Sequence, residues 1–192
     1  TQLALHPSDG TGAWFSYDRA DWHRHLLTEA RSSGIDVVLP VYRNDTRSQQ
    51  IYARKGLMAL VTALEYMKQE GIDYPQVGLQ LDTSSLIETF GERPDLKGPK
   101  VQDALYTAIR DFYRYIPAAF RYTVFLNTEN GGRKADTVFL YGTNVFKDWD
   151  GSFVNYLRGR FLADFGEDLL LFGSPDFKAK APLDGYFKET LD

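Results

Sequence analysis

The sequence contains no cysteine. Disulfide bonds, thiolate nucleophiles, and zinc or iron–sulfur sites with cysteine ligands are therefore excluded. Only three histidines are present, His6, His23 and His25. The last two lie two residues apart and face different sides of a helix, so they do not form a two-histidine metal site on their own. We expect no metal site and no cofactor.

Long apolar runs and an excess of positive charge are also missing. No run reaches the roughly 18 residues that a membrane-spanning helix needs. The formal net charge is −4, from 22 Lys and Arg against 26 Asp and Glu, whereas a nucleic-acid-binding domain usually carries a basic face. We therefore expect neither a membrane nor a nucleic acid as a partner.

Motifs that bind phosphate or activate a serine are absent as well. Gly10-Thr11-Gly12 is not followed by a third glycine at the dinucleotide-binding spacing, and no GxxxxGK[ST] pattern occurs. The GxSxG pattern of the nucleophile elbow is also missing. Hydrolysis by a pair of carboxylates is therefore the simplest enzyme hypothesis.

The segments that are present alternate between strand-like and helix-like patterns, which is typical of α/β proteins with a parallel sheet. The chain of 192 residues corresponds to about one domain. Apolar stripes at helical spacing predict helices over 19–33, 56–70, 101–115 and 152–165. Strands are predicted over 1–7, 35–42, 77–82, 122–127, 136–142 and 168–173, and one more begins near 184.

The order of these segments predicts the fold. Residues 35–42 are almost continuously apolar, as in a strand that is buried on both faces. Right-handed βα connections then lead to a parallel sheet or a barrel. We predict one α/β domain over residues 1–192, a (β/α)8 TIM-type barrel that is incomplete or truncated, with about five to six βα units, because a full barrel needs about 250 residues. The chain would then be the N-terminal part of a longer barrel, or a partner chain or further domain would complete it.

Reactive residues of parallel α/β folds lie at the carboxyl ends of the strands. Asp82 and Asp176 are the candidate catalytic carboxylates there, and Asp36 falls at the opposite edge. We expect Tyr42, Asp82 and Asn144 to share one edge of the sheet. The candidate substrate-binding residues are His6, Tyr42, Arg43, Asn44, Asp45, Thr83, Tyr141 and Asn144.

Structural alternatives stand beside these assignments. Asp82 is either a catalytic group or a cap for the loop that starts at Thr83, and turn roles are open to Asp45 and Asp176. The aromatic content of 15% reflects either a well-packed core or a cleft with aromatic platforms for sugars.

Several short motifs carry a resemblance to a known family. They include Trp14-Phe15-Ser16-Tyr17-Asp18, Trp22-His23 and the segment from Ser33-Gly34-Ile35-Asp36 to Leu39-Pro40-Val41-Tyr42. Further matches follow in order: Gly78-Leu79-Gln80-Leu81-Asp82-Thr83, Ile109-Arg110-Asp111-Phe112-Tyr113, Val138-Phe139-Leu140-Tyr141 and Phe161-Leu162-Ala163-Asp164-Phe165-Gly166. Together they resemble glycoside-hydrolase-like barrels of the endo-α-mannosidase and α-1,3-glucanase type, in an uncharacterised bacterial branch.

The resemblance implies a secreted or cell-envelope barrel that acts on a glycan or polysaccharide. Arg43 stands where the family-like pattern has tryptophan after Pro-Val-Tyr, and a guanidinium can bind sugar hydroxyls. Three functions remain open: a glycosidase with Asp82 at its centre, a non-catalytic glycan-binding or structural barrel, and a half-barrel that needs a partner chain.

Overall fold

The computed structural model describes residues 17–43, 49–128 and 131–187. Five α-helices occur in these ranges: α1 (Ala20–Ser32), α2 (Gln49–Gln69), α3 (Ser85–Phe90), α4 (Pro99–Tyr115) and α5 (Ser152–Phe165). The strands are β1 (Val37–Val38), β2 (Val41–Tyr42), β3 (Gln76–Val77), β4 (Leu79–Asp82), β5 (Thr123–Thr128), β6 (Gly131–Tyr141), β7 (Asp168–Gly173) and β8 (Gly185–Tyr186). The chain is thus a mixed α/β structure.

The main sheet places its parallel strands in chain order, β2-β4-β6-β7-β8. Strand β5 forms an antiparallel hairpin with the first half of β6. The second half of β6 pairs in parallel with β4, and its other side pairs in parallel with β7. A small parallel pair, β1 with β3, precedes this sheet. The prediction of a mainly parallel sheet is confirmed.

The predicted strand over 35–42 is interrupted because Pro40 has no backbone N–H to donate to a neighbouring strand. On the partner segment, Gly78 separates β3 from β4. A Cβ at Gly78 would lie 2.6 Å from the side chain of Leu39. A larger residue at position 78 would therefore have to displace the end of the Leu39 side chain, which fits the close approach of the two segments.

Alternating residues of the sheet form the core with the helices. Leu79, Leu81, Val138, Leu140 and Leu171 are all buried on one face. Helix α4 contacts β4, and it also packs against α2 on one side and α5 on the other. The helices therefore follow the same order as the strands along this face.

The opposite face of the sheet is partly open to solvent. Val41, Gln80, Phe139 and Phe172 are aligned across β2, β4, β6 and β7. Val41 is 64% exposed, and the other three are half-buried. The rings of Phe139 and Phe172 stack with centroids 4.9 Å apart, and Phe187 meets Phe139 edge-on.

Helix predictions agree with the structure at α1, α4 and α5, and differ in two places. Helix α2 begins at Gln49 rather than near residue 56. Gly56 lies inside this helix, where a Cβ would make an ordinary van der Waals contact with Tyr17 at 3.5 Å, so this glycine does not mark the helix start. Helix α3 falls in a stretch that was expected to be a loop. The expected strand over 1–7 lies outside the described residues.

We predict that Leu140→Ala lowers the free energy of unfolding by about 2–5 kcal/mol, because it leaves a cavity between β6 and the helices. Leu162→Ala is the matched control, since Leu162 is 46% exposed on α5, and a change within about 0.5 kcal/mol is expected there. Urea denaturation of both variants measures the difference. Equal losses would contradict the assignment of the buried face.

Candidate functional site

The carboxyl ends of the parallel strands meet at one edge, as the sequence predicted. Tyr42 pairs with Leu81 and Asp82 pairs with Tyr141. Asn144 lies in the short helical turn that follows β6. We call this side of the sheet the carboxyl edge.

Asp82 ends β4 and also begins the next element. Its Oδ1 accepts a hydrogen bond of 2.9 Å from the backbone N–H of Ser84, and the hydroxyl of Ser85 lies 3.5 Å from its carbonyl oxygen. This is the capping role that the sequence left open. Within the described ranges, no hydrogen bond reaches Oδ2 of Asp82, so one carboxylate oxygen remains available.

Thr83 joins the ends of β4 and β6. Its side chain is buried, and its hydroxyl lies 2.7 Å from the carbonyl oxygen of Tyr141 and 2.9 Å from that of Gly142. Gly142 has φ +91°, and a Cβ there would lie 3.3 Å from the Thr83 hydroxyl. The substrate-binding assignment for Thr83 is therefore corrected: its hydroxyl is used within the protein.

The side chain of Tyr42 does not lie where a substrate-binding residue is expected. Because side chains alternate along a strand, Tyr42 points toward the helices and Val41 toward the open face. Tyr42 is 2% exposed, and its ring packs 5.6 Å from that of Phe112 on α4. Burial raises the pKa of Tyr42 to about 12. Its backbone lies at the carboxyl edge, but its side chain belongs to the core.

Arg43 forms an ion pair with Glu88 of α3. Both side chains are about one-third exposed, so the pair is a charged group at the carboxyl edge. Sequence reasoning missed Glu88 because it treated the region as a loop. The Ser85-Leu86-Ile87-Glu88 pattern, a serine three residues before a glutamate, is a helix-start signal that would have indicated α3.

Three loops come together beyond the carboxyl edge, over residues 83–98, 142–151 and 174–184. The backbone N–H of Leu96 donates to the Asp148 carbonyl at 2.9 Å. The two carboxylate oxygens of Asp148 each accept a 2.6 Å hydrogen bond, one from Lys180 and one from Lys97. These two ammonium groups hold the pKa of Asp148 well below its usual range. We call Lys97, Asp148 and Lys180 the loop clamp.

Trp149 extends the loop clamp. Its ring lies 5.8 Å from that of Phe177, and the Lys180 ammonium sits 5.0 Å from the indole centroid. An ammonium over an indole face is an attractive cation–π geometry. The loop that follows β7 is thereby held against the loop that follows β6, which fixes the shape of the carboxyl edge.

Three of the candidate site residues at the carboxyl edge are exposed. Tyr141 is 41% exposed, and Asn144 and Asp176 are also exposed. Asp176 lies in the helical turn after β7, and β6 separates that strand from β4. The strand that carries Tyr141 therefore lies between the two strands that lead to the candidate carboxylates.

A small cavity of about 130 Å³ lies beside Asp82, between α3 and α4. Its lining includes Leu86, Thr89, Ala104 and Ala108. It has room for a few atoms only and is mostly apolar, so it is not a sugar-sized site.

Three of the predicted binding residues, His6, Asn44 and Asp45, lie outside the described residues. Among the residues that the structure does describe, no group of three or more acidic or histidine side chains is arranged to hold a metal. Within the same ranges, no helix has both the length and the apolar character to span a membrane.

One protein family matches the chain. The family is described as "Domain of unknown function (DUF5010)", and its model matches residues 11–184. No curated protein and no solved structure matches the chain. The matched range includes β1 to α5, the carboxyl edge and the loop clamp.

We predict that Thr83→Val lowers the free energy of unfolding by about 1–3 kcal/mol, since it removes the buried hydroxyl that joins the carbonyls of Tyr141 and Gly142. Thr62→Val is the control, because Thr62 donates only to its own surface helix at Met58. Thermal or urea unfolding of the two valine variants measures the effect. A loss no larger for Thr83→Val than for Thr62→Val would contradict the joining role of Thr83.

Proposed function

The chain belongs to the DUF5010 family, and we propose that it is a glycoside hydrolase whose catalytic carboxylate is Asp82. One observation carries the proposal. Asp82 ends a central parallel strand with one oxygen fixed by the Ser84 N–H, and within the described ranges its second oxygen has no hydrogen-bond partner. Beside it, the neighbouring strand presents the exposed ring of Tyr141.

These groups suit a sugar. Aromatic rings bind the apolar faces of sugar rings, and the Asn144 amide can both donate to and accept from hydroxyls. Hydrolysis requires two carboxyl groups, one that protonates the leaving oxygen and one that activates water or attacks the sugar. We assign the second role to Asp82 and the first to Asp176.

We further propose that the sheet is part of a (β/α)8 barrel. Its parallel strands follow chain order without the reversal that a doubly wound sheet has. The helices follow in the same order along one face. In a barrel, Gln80, Phe139 and Phe172 would point into the barrel interior. The remaining strands would come from another segment or a partner chain, and the resemblance to bacterial glycan-active barrels favours a secreted or cell-envelope location.

Glycan binding without turnover is the second candidate function. Strand β6, directly beside Asp82, ends in Tyr141 and continues into Gly142, so it brings no carboxylate to the carboxyl edge. Asp176 is on the far side of that strand. A site with one central carboxylate and an aromatic ring is sufficient to bind a sugar.

We predict that Asp82→Asn abolishes or reduces hydrolysis by about 100-fold or more, while the melting temperature changes little. The asparagine side chain retains an oxygen that can accept the Ser84 N–H, so the variant removes the carboxylate but keeps the cap. Asp36→Asn is the control, since Asp36 lies at the opposite edge and is 76% exposed. Release of reducing ends from soluble α-mannan and α-1,3-glucan measures activity, and affinity electrophoresis in the same polysaccharides measures binding.

The outcomes separate the two functions. Hydrolysis that Asp82→Asn removes and Asp36→Asn preserves supports the glycosidase. Binding without hydrolysis, weakened by Asp82→Asn, supports the second candidate. Wild-type protein that neither binds nor cleaves these polysaccharides contradicts both.

The barrel proposal predicts slow hydrogen exchange at the outermost strands of the sheet. Strands β2 and β8 are the outermost strands of the main sheet among the described residues. In a closed barrel the backbone amides on their outer sides are hydrogen-bonded and exchange slowly with solvent, whereas in an open sheet they exchange fast. Hydrogen exchange on the intact protein measures this, with the central strand β6 as the protected reference. Fast exchange at both outer strands would contradict closure.

A further inference from the structure

A buried acidic pair lies at the amino edge of the sheet, away from Asp82. Asp136, on β6, is 0% exposed. Its Oδ2 lies 3.3 Å from the guanidinium of Arg121. Its Oδ1 is buried and receives no hydrogen bond from any described residue. A buried carboxylate oxygen with no donor is unfavourable unless a proton is supplied.

The second member is Glu167, in the turn between α5 and β7. Its carboxyl group contacts that of Asp136. Oε2 of Glu167 is also buried, and no described residue donates to it. Two ionised carboxylates in contact repel each other, whereas one proton placed between them allows one carboxyl group to donate to the other.

Arg121 supplies a single positive charge, and most of its donors are already used. Its Nε donates to the Ile116 carbonyl at 2.8 Å, and its Nη2 donates to the Tyr113 carbonyl at 2.7 Å. The guanidinium also lies over the rings of Tyr113 and Phe165, 5.3 Å and 5.1 Å from their centroids. This guanidinium pairs with Asp136 alone among the described residues, so a net negative charge remains on the Asp136–Glu167 pair if both carboxyl groups are ionised.

The other titratable groups around the pair do not correct this imbalance. On α4, burial raises the pKa of Tyr113 well above its ordinary value, so the hydroxyl stays neutral and donates to the Thr137 carbonyl at 2.6 Å. On the hairpin, Arg133 pairs at 3.2 Å with Asp168, the first residue of β7. That pair is nearer the surface and neutral overall.

We propose that Asp136 and Glu167 share one proton in the folded protein, and that this proton makes the amino edge a pH-sensitive latch. The latch consists of Asp136, Glu167 and Arg121. It joins the end of α4, the β5–β6 hairpin and the α5–β7 turn. The proposal does not depend on the glycan proposal, since all three residues lie away from the carboxyl edge.

The pKa of Asp136 gives the pH range. Burial raises it from 3.8 to about 7; Arg121 lowers it, and contact with Glu167 raises it further. The folded protein thus holds its proton at pH values where the unfolded chain has lost it. Unfolding releases one proton between about pH 4 and 7, so the unfolding equilibrium constant rises about tenfold per pH unit from this pair. The stabilisation that the shared proton provides is complete below the pKa that Asp136 has in the unfolded chain, and it is lost as the pH rises to about 7.

The main test compares Asp136→Asn with wild type in urea denaturation from pH 5 to 8. The asparagine amide can donate to Glu167 without titrating, so it imitates the shared proton. We expect the ratio of wild-type to variant unfolding constants to rise about tenfold per pH unit from pH 5 to about 7 and then to level off. Glu167→Gln, whose amide can donate to Asp136, is expected to give the same pH dependence relative to wild type. Asp168→Asn is the control and should follow wild type.

A ratio that is constant from pH 5 to 8 in both amide variants would overturn the proposal. A second measurement does not require the variants to fold. Carboxyl ¹³C NMR titration of the wild-type protein should show the Asp136 carboxyl group changing in one step near neutral pH. An Asp136 titration that is complete below about pH 5 would also overturn the proposal.

Discussion

Strand β6 is hydrogen-bonded along both of its sides. One side pairs with β5 and β4, and the other side pairs with β7. The carboxyl edge and the Asp136 site both depend on this pairing. At the carboxyl end it places Tyr141 opposite Asp82. In the middle of the strand, Asp136 faces the guanidinium of Arg121. Because side chains alternate along a strand, a shift of one residue would exchange the buried and open faces of all these positions.

The aromatic residues, unusual in number, mostly serve the core. Tyr42, Tyr106, Tyr113 and Phe112 are all buried. Two of the tyrosines also connect elements through their hydroxyls: Tyr113 donates to Thr137 on β6, and Tyr106 contacts Asp164 on α5. The core interpretation of the aromatic content therefore accounts for these rings. Tyr141 and the stacked pair of Phe139 and Phe172 lie on the other face, where the glycan and barrel proposals use them.

Periodic apolar patterns explain what could be predicted. Helices α4 and α5 carry long apolar stripes, and β6 and β7 contain short apolar runs, Val138–Tyr141 and Leu169–Phe172, so the helical and strand segments and the parallel order could be inferred. Helix α3 is six residues long, too short for a stripe, and Glu88 was missed with it. Tyr42 was misplaced for a different reason: a strand that is apolar at every position does not reveal which residues face the helices. The pairing of Asp136 with Glu167 depends on residues that are distant in sequence, so no local pattern indicates it.

Strand β6 shows how one strand can contribute to two kinds of acidic site. Asp136 and Tyr141 are an odd number of residues apart, so they face opposite sides of the sheet. Asp136 points into the helix layer, where burial favours the protonated form and the group affects stability. The face of the sheet that carries Tyr141 is partly open to solvent. Asp82 lies beside Tyr141, and within the described ranges its Oδ2 has no hydrogen-bond partner. In parallel α/β folds the amino edge generally stabilises and the carboxyl edge binds. On β6 the two groups are separated twice, because they differ in position along the strand and also face opposite sides of the sheet.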